Sequence, residues 1–116
     1  MCHVLIIEDE PLIAMDLQDM LGRIGATSFD FAETEIEAVQ AARLRRPDVI
    51  TSDVMLREGT GPGAVECIQS EMGPLPVIFI TATPGSCDSG PPPSCILCKP
   101  VGNTILSSAF RAIVPH

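Results

Sequence analysis

The sequence predicts an α/β fold, a doubly wound parallel sheet of five strands. Strand-like and helix-like segments alternate five times along 116 residues, the pattern of a parallel sheet with crossover helices. Three of the strand segments are nearly continuous apolar runs, as expected where helices cover both faces of a sheet. Four of the runs also end on polar residues of distinct chemistry, and open α/β sheets place their ligand sites at that carboxyl edge.

The strands are expected at 3–8, 27–32, 48–53, 76–81 and 94–98. The first helix opens at Pro11, a favoured residue for a first turn. It carries Ile13, Leu17, Met20, Leu21 and Ile24 at helical spacing and ends at Gly25. Leu12, Met15 and Met20 are taken as core on the same helix, because the first helix of a small domain must bury an apolar stripe. The second helix opens with Thr34-Glu35-Ile36-Glu37, which fits a capping box. It buries Ala38, Val39 and Ala42 and stops before Pro47. The third runs from about Gly61 to Met72, with Val65, Ile68 and Met72 inward, and Gly73-Pro74 terminates it. Segment 82–94 holds four of the eleven prolines and two of the nine glycines, so the fourth helix is expected to be short or irregular. The last helix places Ile105, Leu106, Ala109, Phe110 and Ile113 on one face. No repeat or second domain is visible, so residues 1–116 are expected to form one domain with no output domain.

Composition narrows the function. Hydrophobic residues make up 46% and charged residues 19%, a globular balance. Seven Lys+Arg against fifteen Asp+Glu give a net charge of −8, which disfavours nucleic acid and anionic membranes, since both demand a basic face. The apolar run Val4 to Ile7 is too short for a signal-peptide core, and no run approaches the ~20 residues of a membrane span. Five cysteines, an odd count, read as reduced thiols in a cytoplasmic protein.

The strand ends carry the chemistry. Glu8 and Asp9 follow the first run, Asp53 closes the third, Thr81 the fourth, and Lys99-Pro100 follows the fifth. If the strands are parallel, three carboxylates, a hydroxyl and an ammonium meet at one edge. Mg²⁺ prefers a few carboxylates plus waters and phosphate oxygens, which suits Glu8, Asp9 and Asp53. Asp53 is then both ligand and nucleophile, since a carboxylate can accept a phosphoryl group as an acyl phosphate. The cation and Lys99 spread the charge of the transferring group, and the Thr81 hydroxyl can donate to it. Singly, each residue reads as a solvated acid, a cap, a strand hydroxyl or a surface lysine. Their order at the ends of successive strands is what makes a site.

Those residues stand in Ile7-Glu8-Asp9-Glu10-Pro11, Pro47-Asp48-Val49-Ile50-Thr51-Ser52-Asp53-Val54-Met55-Leu56, Pro76-Val77-Ile78-Phe79-Ile80-Thr81-Ala82 and Cys98-Lys99-Pro100. Through these motifs, and Gly61 eight residues after Asp53, the chain resembles a bacterial response-regulator receiver domain over essentially its full length. The resemblance implies a flavodoxin-like, CheY-like sheet of order 2-1-3-4-5. It implies a phosphoprotein of a two-component system, phosphorylated on Asp53 by a histidine kinase or histidine phosphotransferase. Carried over by position, Glu8, Asp9, Asp53 and the Met55 backbone carbonyl hold Mg²⁺, while Thr81 and Lys99 bind and report the phosphoryl group. The Lys99–Pro100 peptide is often cis in that family.

The chain also departs from the pattern. Ile96 stands where the family has an aromatic three residues before the lysine, and the chain has no Tyr or Trp. Arg57 stands where proline is common, and the interval from Thr81 to Lys99 is short. Phosphorylation then orders or repacks the Pro/Gly loop 82–94, switching an unknown downstream protein through region 82–99; alternatively, that loop is a mobile connection with no switching role. Thr83 is a rival hydroxyl, but Thr81 directly ends the apolar strand.

Other constellations weigh less. Cys95 and Cys98 form a C-x-x-C with Cys87 nearby, yet residues three apart on a strand point to opposite faces and do not chelate. His3 and His116 are poorly placed for catalysis. A non-phosphorylated adaptor binding partners constitutively is the alternative reading, motivated by the missing aromatic. An aspartyl-phosphate hydrolase usually carries a second acid where Met55 stands, so no metabolic enzyme is expected, only self-catalysed phosphorylation and dephosphorylation.

Overall fold

The computed structural model describes residues 2–81, 94–98 and 102–113. In chain order the elements are β1 (His3–Ile7), α1 (Pro11–Arg23), β2 (Ser28–Ala32), α2 (Glu35–Leu44), β3 (Val49–Asp53), α3 (Gly61–Met72), β4 (Val77–Thr81), β5 (Ser94–Cys98) and α4 (Asn103–Ile113). All five strands are parallel and ordered β2-β1-β3-β4-β5, the order expected of a flavodoxin-like sheet. Segment 82–93, where a short or irregular fourth helix is expected, lies outside the described residues.

Strand alternation divides the core in two. Leu5 and Ile7 of β1, Ile50 of β3, and Val77 and Phe79 of β4 pack with α2 and α3. Val4, Ile6, Val49, Ile78 and Ile80 pack on the other face with α1 and α4. Successive strand residues point to opposite faces, so an unbroken apolar run fills both layers at once. Burying each such side chain stabilises by about 1.5–3 kcal/mol, and this places β1 and β3 rigidly at the sheet centre. Ile96 of β5 is half-buried against the α2–α3 cluster.

The helix ends follow local chemistry. Pro11 opens α1. Thr34 caps α2, its Oγ1 accepting from Glu37 N at 3.1 Å; the Glu37 carboxylate takes Glu33 N at 3.0 Å, one residue beyond the partner in an ordinary capping box. Thr60 caps α3 by accepting from Gly63 N at 3.1 Å. Gly73 ends α3 at φ 83°, a left-handed conformation open to glycine at little cost.

Two expectations about burial are corrected. Leu12 and Met15 are 78% and 62% exposed, not core. At about 100° per residue, Ala14, Leu17 and Leu21 define the inward stripe of α1, and Leu12 and Met15 fall on the opposite side of the helix. Met20 is half-buried against the α1–α4 cluster. Ile105 is 57% exposed, because Leu106 and Phe110 set the inward direction of α4 and leave Ile105 at the edge of that face.

Candidate functional site

The carboxyl edge of the sheet gathers the acids. Residue 8 directly follows β1, and its amide extends the ladder by donating to Ala32 O at 2.9 Å. That contact pins the strand end and buries Glu8 to 3% exposure. Glu8 Oε2 accepts from Glu10 N at 3.2 Å, so the carboxylate is tied to the turn that leads into α1. Asp9 is half-buried beside it.

Asp53 is the last residue of β3, and its neighbour on β4 is Ile80. Its side chain is half-buried, with Oδ1 accepting from Val54 N at 2.8 Å. Carboxylate oxygens of Glu8, Asp9 and Asp53 all lie within 4.8 Å of one another. At the effective dielectric of a protein, two ionised carboxylates at that separation repel by on the order of 3 kcal/mol. A divalent cation among them would relieve that repulsion. One buried and two half-buried carboxylates make an open site, with room for water and phosphate oxygens, which fits Mg²⁺ better than a closed cage.

Thr81 ends β4, one register step beyond Ile80, and is 2% exposed. The structure therefore brings Glu8, Asp9, Asp53 and Thr81 to the ends of three adjacent strands. β5 ends at Cys98, paired with Thr81. Lys99 and Pro100, like Thr83 and Cys87, lie outside the described residues. Cys95 and Cys98 both belong to strand β5.

The loop after Asp53 is tightly folded. Met55 and Thr60 form an isolated antiparallel bridge, and Gly61 N donates to Val54 O at 2.9 Å. Ser52 Oγ donates to Asp53 O at 2.8 Å. A Cβ at Gly61 would run into both that carbonyl oxygen and the Ser52 hydroxyl. Glycine at 61 is thus a steric requirement of the backbone that carries Asp53. The motif shows that glycine; the reason for it needs the fold. Met55 itself is 64% exposed, so its side chain does not close the site.

His3 sits at the other end of the sheet. It is 5% exposed, with Nδ1 and Nε2 each 2.8 Å from Ser28 Oγ and Asp30 Oδ2. Its backbone N donates to Asp48 Oδ2 at 2.7 Å. It is a structural residue remote from the acids. His116 lies outside the described residues. No helix among the described residues is long and apolar enough to cross a membrane.

Comparison with known proteins agrees with this fold. The family model described as the response regulator receiver domain matches residues 4–88. The phyllosphere-induced regulator PhyR of Methylorubrum extorquens is 42% identical over 102 residues, covering 84% of this chain and 38% of that protein. The chain thus spans under two fifths of the length of that relative. The solution structure of the PhyR receiver domain from Erythrobacter litoralis superposes with a TM-score of 0.85 at 32% identity, covering 97% of this chain and 88% of that one. The crystal structure of the response regulator PhyR from Brucella abortus gives a TM-score of 0.85 at 32% identity, over 97% of this chain and 47% of that one.

Proposed function

The chain belongs to the response regulator receiver family, and on that premise we propose that it accepts a phosphoryl group on Asp53 from a phosphohistidine. The donor is a histidine kinase or a histidine phosphotransferase, and the protein acts in the cytoplasm as a phosphorylation-dependent switch. The observation that carries this reading is the convergence of the Glu8, Asp9 and Asp53 carboxylates within 4.8 Å at the strand ends.

In the transfer, an Asp53 carboxylate oxygen forms a bond to phosphorus while the donor's P–N bond breaks. The donor imidazole leaves and takes a proton from solvent. Val54 N, bonded to Asp53 Oδ1, fixes the carboxylate for that attack, a positioning effect. Glu8, Asp9, Asp53 and the Met55 backbone carbonyl would hold Mg²⁺, which supplies charge neutralisation at the transferring oxygens. The Thr81 hydroxyl and the Lys99 ammonium bind the phosphoryl oxygens afterwards. Hydrolysis of the acyl phosphate resets the switch. The only chemistry proposed is on the protein's own aspartate, with no metabolic substrate.

Output passes to a partner protein through region 82–99, and residues 1–116 act as the receiver unit. With Ile96 half-buried in place of an aromatic, the signal is carried by repacking of loop 82–94 and not by a ring rotation.

The test is intact mass after incubation with Mg²⁺ and a small phosphodonor, with Asp53→Asn alongside. One phosphoryl addition in wild type and none in the variant supports the reading. No addition together with no Mg²⁺ binding overturns it and leaves a constitutive adaptor.

A further inference from the structure

We infer that Glu35, at the first turn of α2, is a positioning residue for the metal-binding loop 54–60, acting through Thr60. The inference rests on the reading that Asp53 and the Met55 carbonyl bind Mg²⁺, and it adds a residue outside the acidic cluster to that site.

Three contacts tie the start of α2 to this loop. Glu35 Oε1 accepts from Thr60 N at 3.2 Å, and Glu35 N donates to Glu58 O at 3.1 Å. Arg57 reaches Glu33 at 3.5 Å, but both side chains are well exposed and such a pair contributes little. Glu35 is therefore the element that matters, clamping the loop with its side chain and its backbone together. Thr60 in turn bridges Met55 across the loop. The chain of contact thus runs from Glu35 to Thr60 to the backbone of Met55.

The loop's glycines are placed to admit this carboxylate. A Cβ at Gly59 would come within 2.6 Å of Glu35 Cβ, and one at Gly63 would collide with Glu35 Oε1. Gly59 also holds φ at 83°, where a side chain is strained. At both glycines the nearest atom belongs to Glu35, so the tight fit is to Glu35. A loop of seven residues that must present one carbonyl to a cation gains from an outer partner that leaves it a single conformation. Such outer partners typically alter metal affinity by about 10–100-fold when removed.

The experiment compares wild type, Glu35→Gln, Glu35→Ala and Gly63→Ala by titration calorimetry with Mg²⁺, and by amide hydrogen exchange without metal. Glu35→Gln keeps the Oε1 acceptor and is expected to bind Mg²⁺ within about twofold of wild type. Glu35→Ala loses the acceptor and is expected to bind about tenfold more weakly. Its Thr60 amide exchanges faster in the metal-free protein, while the amides of β1 and β3 keep their protection. Gly63→Ala displaces the carboxylate and follows Glu35→Ala in both readouts. Wild-type affinity in Glu35→Ala overturns the inference. So does an equal loss in Glu35→Gln, which would assign the effect to charge and not to the hydrogen bond. A wild-type protein that binds no Mg²⁺ fails at an earlier point, overturning the proposed metal site itself.

Discussion

Replacing Gly61 with alanine tests the packing beneath Asp53. Gly61 is the first residue of α3, where helix propensity alone predicts that alanine stabilises. Restricting the unfolded chain would contribute about 0.5 kcal/mol in the same direction. The structure predicts the opposite sign. The new Cβ meets the Asp53 carbonyl oxygen and the buried Ser52 hydroxyl, and neither is the end of a flexible chain. Forcing a methyl into such a contact costs about 1–3 kcal/mol. Displacing Ser52 from Asp53 O forfeits about 1 kcal/mol more. The net loss is about 2–3 kcal/mol, which at this length lowers the unfolding temperature by roughly 10 °C. Thermal unfolding followed by circular dichroism measures it, with Gly102→Ala as the control. Gly102 has open space where a Cβ would stand; its carbonyl accepts from Leu106 N at the start of α4, so only a cap loss of about 1 kcal/mol or less is expected there. A Gly61→Ala protein as stable as wild type would refute the close-approach argument.

Thr34→Ala removes the cap of α2 and is expected to cost about 1 kcal/mol, or roughly 4 °C, while Thr34→Ser keeps most of it; the same melting experiment decides. The hydrogen bond from Arg43 holds the Glu71 carboxyl below its ordinary value. A carboxylate with a depressed folded-state pKa contributes stability above its unfolded value and loses it as pH falls through the folded one. The difference in urea midpoint between wild type and Glu71→Gln is therefore expected to be small near about pH 7 and to shrink as the pH falls through the lowered folded-state pKa. Burial, and secondarily the charge of Asp48, raise the Cys2 thiol. Iodoacetamide at about pH 8 should alkylate Cys2 more slowly than a free thiol such as glutathione, and equal rates would contradict the burial.

Much of this molecule is legible in the chain because strands and chemistry coincide. An apolar run covered on both faces has few alternatives, so the strand positions read to within a residue, and Glu8, Asp9, Asp53 and Thr81 stand where those runs end. Helix faces were harder. Leu12 and Met15 looked like core because they are apolar, yet the stripe Ala14, Leu17 and Leu21 already pointed away from them. The angular pattern held the signal and side-chain type obscured it. Glu35 is a different case. Nothing in its neighbourhood marks it, since a glutamate in a first helical turn is ordinarily a favourable charge near the helix dipole. Its contact with Thr60 spans 25 residues and exists only once α2 and α3 lie side by side.

The central position of β1 governs how the chain reaches its native state. It pairs with β2 on one side and β3 on the other. The contact that seats its beginning, His3 with Asp48, spans 45 residues. During synthesis Val4 to Ile7 therefore wait for a segment some 45 residues further on before β3 can cover them. Parallel pairing defers its reward until distant segments arrive, which slows folding and prolongs exposure of sticky strands. The segment that later presents Glu8 and Asp9 is thus the one most dependent on protection during translation. Substitutions that weaken β3 should show first as lost soluble yield, before any loss of the proposed phosphoryl acceptance in the molecules that fold.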